Sequence, residues 1–236
     1  MLAKTKAIVL RNTNYRDNSI ICKMYTREYG MRTYILQSIR KGKSAIKPSM
    51  IQPLSLVNMV VYEKPNAGIN RVKELKNAPL LLEIQDDILK KSIALFLVEI
   101  LNQCITEEQC EEELFDFIEN KVLELESGTA PKYFPITFLL ELTYFLGVEP
   151  QGSYSSNTPY FSIDEGIFVA EMGLNTLPLE MSMALSNFVN TKTSDGTKLN
   201  SQLRRDLLNY LLKYYQYHIT KNKKIKSVEI LSELLS

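Results

Sequence analysis

Apolar and polar side chains alternate through the first 80 residues, and apolar residues recur at helical spacing through most of the rest. Residues 6–11, 19–26, 31–39, 54–62 and 69–75 each read as a short strand. Residues 27–30 make a tight turn in which Gly30 is free to take a positive φ. Residues 40–48 form a basic loop, and residues 63–68 turn the chain again. Five strands at hairpin-like spacing predict a small closed or partly open barrel of the OB type. An SH3-like barrel is the competing architecture, and strand count alone does not exclude it.

The period changes after Pro79. Residues 80–103 place apolar side chains on one broad helical face. Thr106 to Gln109 resembles a capping box that opens a helix over about 107–126, ended by Gly128 and Pro131. Residues 134–146 predict a third helix, stopped at Gly147. Residues 149–175 are polar and turn-rich, and helices follow over about 178–190, 199–219 and 227–235. The fold class is therefore α+β: an N-terminal five-stranded OB-type barrel over residues 1–79, then a helical domain over 80–236.

Charge sharpens this division. Residues 1–80 hold fifteen Lys and Arg against four Asp and Glu, a net of +11. Residues 81–150 hold four against fifteen, a net of −11, so the chain's overall +1 hides two opposed parts. A basic module beside an acidic one points to a nucleic-acid-facing surface. The cations are Arg11, Arg16, Lys23, Arg27, Arg32, Arg40, Lys41, Lys43 and Lys47, interleaved with Tyr15, Tyr25, Tyr29 and Tyr34. Cations for phosphates and rings for bases, Tyr34 among them, would hold single strands without sequence readout. A second, weaker cluster comprises Arg204, Arg205, Lys221, Lys223, Lys224 and Lys226. Opposed charge would also let the acidic helix dock on the barrel and compete with DNA.

Little else carries chemistry. The single histidine, His218, has no visible partner and reads as structural. The three cysteines, Cys22, Cys104 and Cys110, form no CxxC pair and read as free thiols of a reducing cytoplasm. The glutamates at 107, 108, 111, 112 and 113 read as a solvated helix face. Phosphate-loop, dinucleotide and nucleophile-elbow motifs are missing, which argues against an enzyme. Neither a secretory signal nor a membrane span is predicted.

The order of short motifs resembles the bacterial recombination mediator family RecO. Thr5-Lys-Ala-Ile-Val-Leu10 with Asn14-Tyr-Arg-Asp-Asn-Ser-Ile-Ile21 resembles that family's first hairpin. Tyr25-Thr-Arg-Glu-Tyr-Gly30 resembles its turn, and Ser38-Ile-Arg-Lys-Gly-Lys-Ser44 its basic loop. Ile51-Gln-Pro-Leu54 is similar to the stretch that leads into the next strand. Phe138-Leu-Leu-Glu-Leu-Thr-Tyr-Phe-Leu-Gly147 with Pro150 resembles the central helix and its stop. Tyr214-Tyr-Gln-Tyr-His218 with Lys226-Ser227-Val-Glu-Ile-Leu231 resembles the C-terminal signature.

The resemblance implies an OB-fold with a helical domain, and a role without catalysis in DNA repair and recombination. It implies binding of single- and double-stranded DNA and annealing of complementary strands. It also implies partnership with RecR and with the C-terminal tail of single-strand-binding protein, helping RecA load, in the cytoplasm on nucleoid DNA. The chain departs from the family at about 149–175. Many members carry a four-cysteine zinc finger there; this segment has no cysteine. Ser, Thr and Asn are poor zinc ligands, so no cofactor is expected, and the loop should be held by Tyr160, Phe161 and Phe168. An RNA-binding OB protein and an adaptor whose basic barrel binds an acidic protein are the alternative readings.

Overall fold

The computed structural model describes residues 1–37, 46–64, 67–105, 110–128, 131–191, 199–220 and 225–228. The chain divides into two compact units, Met1–Gly128 and Thr129–Ser236.

In the first unit, strands β1 (Leu2–Tyr15), β2 (Ser19–Thr26), β3 (Gly30–Gln37), β4 (Leu56–Tyr62) and β5 (Asn70–Asn77) close a barrel in the order β1-β2-β3-β5-β4. This is the OB order, so the strand path decides what strand count left open. Gly30 takes φ +65° at the β2–β3 turn. β1 is longer than its apolar run, because its polar end from Arg11 to Tyr15 pairs with β2 beyond a bulge between Val9 and Arg11. Ala7, Val9, Cys22, Met24, Tyr34, Leu36, Val57, Met59 and Val61 fill the interior. The closing seam is thin: β3 meets β5 in a parallel pairing at Tyr34–Asn70 and Ile35–Arg71.

Among the described residues, three α-helices complete the unit. The predicted helix over 80–103 is two helices, α1 (Glu83–Asp86) and α2 (Ile88–Cys104). Asp87 breaks them apart by capping α2, its carboxylate accepting the Lys90 N–H at 2.9 Å. α2 buries Ile93, Phe96, Leu97, Ile100, Leu101 and Cys104, an i, i+3, i+4 stripe. α3 (Glu112–Ser127) starts later than the spacing suggests, since Glu111 is extended and Cys110 lies outside the helix. The proposed capping box at 106–109 lies outside the described residues. The Glu126 carboxylate of α3 accepts N–H groups of Leu82, Glu83 and Ile84 at 2.7–2.9 Å, satisfying the open start of α1.

The second unit holds α4 (Phe134–Phe145), strands β6 (Tyr160–Ser162) and β7 (Ile167–Val169), α5 (Leu179–Thr191) and α6 (Ser201–His218). α4 is apolar nearly all round and buried. The Tyr214 hydroxyl donates to Val148 O at 2.7 Å and the Tyr215 hydroxyl to Leu139 O at 2.6 Å. His218 Nε2 lies 2.7 Å from Ile163 O, so its ring serves the packing here.

The expected loop over 149–175 contains the antiparallel β6–β7 hairpin. Phe161 packs edge-on against Phe168 with centroids 5.2 Å apart and lies 5.9 Å from Tyr214. Asp164 accepts from the Ser162 hydroxyl and the Asn175 amide, and these bonds hold its carboxyl below the usual carboxylate range. Gly166 has φ +75°, and a Cβ there would meet the Tyr214 hydroxyl at 3.0 Å. The helix expected over 227–235 lies outside the described residues beyond Val228. Among the described residues no helix is long and apolar enough to cross a membrane.

Candidate nucleic-acid interface

Strand register decides which cations share a surface. Residues directly opposite each other in a sheet point to the same face. Arg11 faces Lys23, and Lys23 faces Thr33. The next outward row is Thr13, Ile21, Ile35 and Arg71, the last supplied across the β3–β5 seam. Tyr15, Ser19 and Gln37 follow. The inward rows between them carry Cys22, Tyr34 and Leu36, all buried. One wall of the barrel thus presents Arg11, Lys23 and Arg71 outward, with Arg11 and Arg71 exposed. Among the described residues none of the three is held in an ion pair.

Tyr15 and Arg16 stand at the edge of this wall. Arg16 takes φ +53° in the β1–β2 turn, and its guanidinium carbon sits 5.2 Å from the centre of the Tyr15 ring. Tyr15 is 39% exposed, enough for its ring to receive a base. Lys47 is exposed just before the 3₁₀ turn Pro48–Ile51.

Several expected contacts fall elsewhere. Tyr34 is 0% exposed, because it shares the inward parity of Leu36. Its hydroxyl donates to the Glu63 carboxylate at 3.2 Å, and burial followed by that carboxylate holds the phenol far above its ordinary range. It stays a neutral donor in the core and offers no stacking surface. Tyr25 is likewise buried: its hydroxyl donates to Glu111 O at 3.3 Å, its ring lies 6.0 Å from Phe115, and burial pushes it up to about 12.

Arg27 is occupied by α3. It makes a forked bond to Asp116 at 2.9 and 3.1 Å and lies 2.9 Å from Glu112. The Arg27 guanidinium holds the Asp116 carboxyl below its usual range. Lys6 is bound in the same way by both oxygens of Glu119, at 3.0 and 2.9 Å. The acidic helix therefore does dock on the barrel. Arg32 lies 3.6 Å from Glu63 at the barrel end, half-exposed. In the other unit, Arg204 is buried, 5.8 Å from the Tyr133 ring, and so is not a surface cation. Arg205 is half-buried, donating to Gln202 at 2.8 Å. Arg40, Lys41, Lys43, Lys221, Lys223 and Lys224 lie outside the described residues.

Arg71 was not among the residues singled out from the sequence. Its local signal is ordinary strand alternation, and only the β3–β5 pairing brings it onto the same outward wall as Lys23 and Arg11. Burial pushes the thiols of Cys22 and Cys104 up to about 12, which suppresses the thiolate at neutral pH. Among the described residues no three His, Cys, Asp or Glu side chains converge as a metal site would need.

Comparison with known proteins agrees along the chain. The pattern that defines the N-terminal domain of recombination protein O matches residues 1–78, and that of its C-terminal domain matches residues 85–227. Proteins named DNA repair protein RecO are similar over their whole length. That of Flavobacterium psychrophilum is 32% identical over 239 residues, covering 100% of both chains. That of Flavobacterium johnsoniae is 32% identical over 238 residues, again covering 100% of both. That of Phocaeicola vulgatus is 31% identical over 241 residues with the same coverage.

Proposed function

The chain belongs to the recombination protein O family of DNA repair proteins, and from that premise we propose that it binds DNA through the outer wall of β1, β2 and β3. The observation that carries this reading is the row formed by Arg11 and Lys23, extended by Arg71, on an OB-type barrel. Its guanidinium and ammonium groups neutralise phosphates, and Tyr15 backed by Arg16 stacks a base at one edge. The action is electrostatic and requires no catalysis. Binding of single and double strands releases counterions. Annealing follows when one barrel screens two strands from each other. RecR, the tail of single-strand-binding protein and, through them, RecA are the partners, in the cytoplasm on nucleoid DNA.

Fluorescence anisotropy of labelled oligothymidine at several salt concentrations tests this. With about six phosphates contacted on a single strand, affinity should fall roughly 300-fold between ~50 and ~200 mM salt. Absence of binding at low salt would move the function to an adaptor. A marked preference for RNA of equal length would move it to RNA.

The hairpin over 160–169 is held together without zinc. Its supports are the Phe161–Phe168 pair and the two bonds to Asp164. Elemental analysis of the purified protein should find zinc far below one per chain, and a stoichiometric content would overturn the point.

A further inference from the structure

The barrel has a second wall with exposed lysines that the reading above does not use. β1 pairs with β4, and β4 with β5, so that Lys6, Asn58 and Lys76 form one row. Lys4, Val60 and Glu74 form the next outward row. Lys4, Lys6 and Lys76 are all exposed. Between them runs an open groove of about 420 Å³. Two carboxylates share it: Glu28 accepts from the Thr5 hydroxyl, and Glu74 lies 3.6 Å from Lys73. Lys6 is held by Glu119. Lys4 and Lys76 carry no ion pair among the described residues.

We propose that this groove is a second track for a nucleic-acid backbone, separate from the Arg11–Lys23–Arg71 wall and joined to it through β1. The inference rests on the DNA-binding reading above and assigns where the second strand of an annealing pair would lie. Lys4 and Lys6 are two residues apart on β1, or about 6.8 Å, so Lys6, once released by Glu119, gives a second phosphate contact beside Lys4. Asn58 adds a neutral donor between Lys6 and Lys76, suited to a phosphate or sugar oxygen. The groove floor is the paired backbone of β1, β4 and β5, which fixes where its lysines start from. β1 runs from Lys4 to Arg11 through both walls, and a strand on each would be held at high effective concentration to the other. Phosphate on this track competes with Glu119 for Lys6, which makes α3 its natural competitor.

The test uses the full-length protein and short oligothymidine, which cannot pair with itself. Titration at low salt should saturate near two oligonucleotides per chain for the wild type, and near one for Lys4→Glu with Lys76→Glu. That variant should keep the affinity of the first site within about threefold, because Arg11, Lys23 and Arg71 are untouched. Annealing of complementary strands should slow at least about tenfold, since it needs both walls. Thermal melting of the variant guards against misfolding, and exposed Lys4 and Lys76 should change it little. A wild type that saturates at one oligonucleotide overturns the second track. So does a variant that still binds two. A wild type that binds none refutes the DNA-binding reading itself, and the track with it.

Discussion

Arg11→Glu combined with Lys23→Glu should weaken binding of single-stranded DNA by about 100-fold at ~50 mM salt. Each phosphate contact on a single strand adds about 0.7 to the log–log salt slope, so losing two should flatten it by about 1.4. Extrapolated from 1 M to ~50 mM salt, those two contacts are worth roughly 60-fold, and reversed charge adds repulsion. Arg11 and Lys23 are outward neighbours on paired strands, so the change touches no core side chain. Arg27→Gln is the informative control. Arg27 has a comparable formal charge, but Asp116 and Glu112 already occupy it. Its loss should leave DNA affinity within about twofold and loosen α3 instead. Anisotropy on the three proteins decides the matter. Equal loss in Arg27→Gln and the double variant would mean that binding follows total charge and not the mapped wall.

The contrast between Arg11 and Arg27 also shows what a sequence can carry. Alternation placed all five strands, because one buried face imposes period two on each. It also held the answer for Tyr34, which keeps parity with Leu36 and Cys22's row; counting tyrosines as stacking platforms overlooked that parity. Arg27 was beyond reach for a different reason. Its acid, Asp116, stands 89 residues away on a helix, and no local pattern announces such a pair. The same holds for Arg71, which joins the outward wall of Arg11 and Lys23 only through a parallel pairing that no tight turn encodes. Opposed net charge predicted the docking of α3, but not that Phe115 and Tyr25 would make it part of one compact unit. Cutting the chain at residue 80 would therefore expose the Tyr25 side of the barrel as well as remove acid. Neutralising Glu119 singly is the cleaner way to ask whether α3 competes with DNA.

Glu63→Ala should cost about 3 kcal/mol of stability, the largest effect expected from a polar residue of the barrel. Glu63 follows β4 and is 8% exposed. One carboxylate oxygen accepts the Tyr34 hydroxyl at 3.2 Å, and the other accepts the Asn70 amide at 2.9 Å, with Arg32 at 3.6 Å. Tyr34 and Asn70 are the same residues that pair β3 to β5. The carboxylate therefore staples the thinnest seam of the barrel. Removing it leaves two buried donors without an acceptor, each worth about 1–3 kcal/mol. The lower part of that range fits best, because the neighbouring Arg32 is half-exposed and screened. The transition should fall by about 6–12 °C in a thermal melt. Glu63→Gln keeps an acceptor for Tyr34 and should lose about 1 kcal/mol, which separates the bonds from the charge. Because Arg71 adjoins Asn70, DNA affinity should drop in Glu63→Ala even well below its melting temperature. A melt within about 2 °C of wild type would mean that backbone pairing, not this carboxylate, closes the seam.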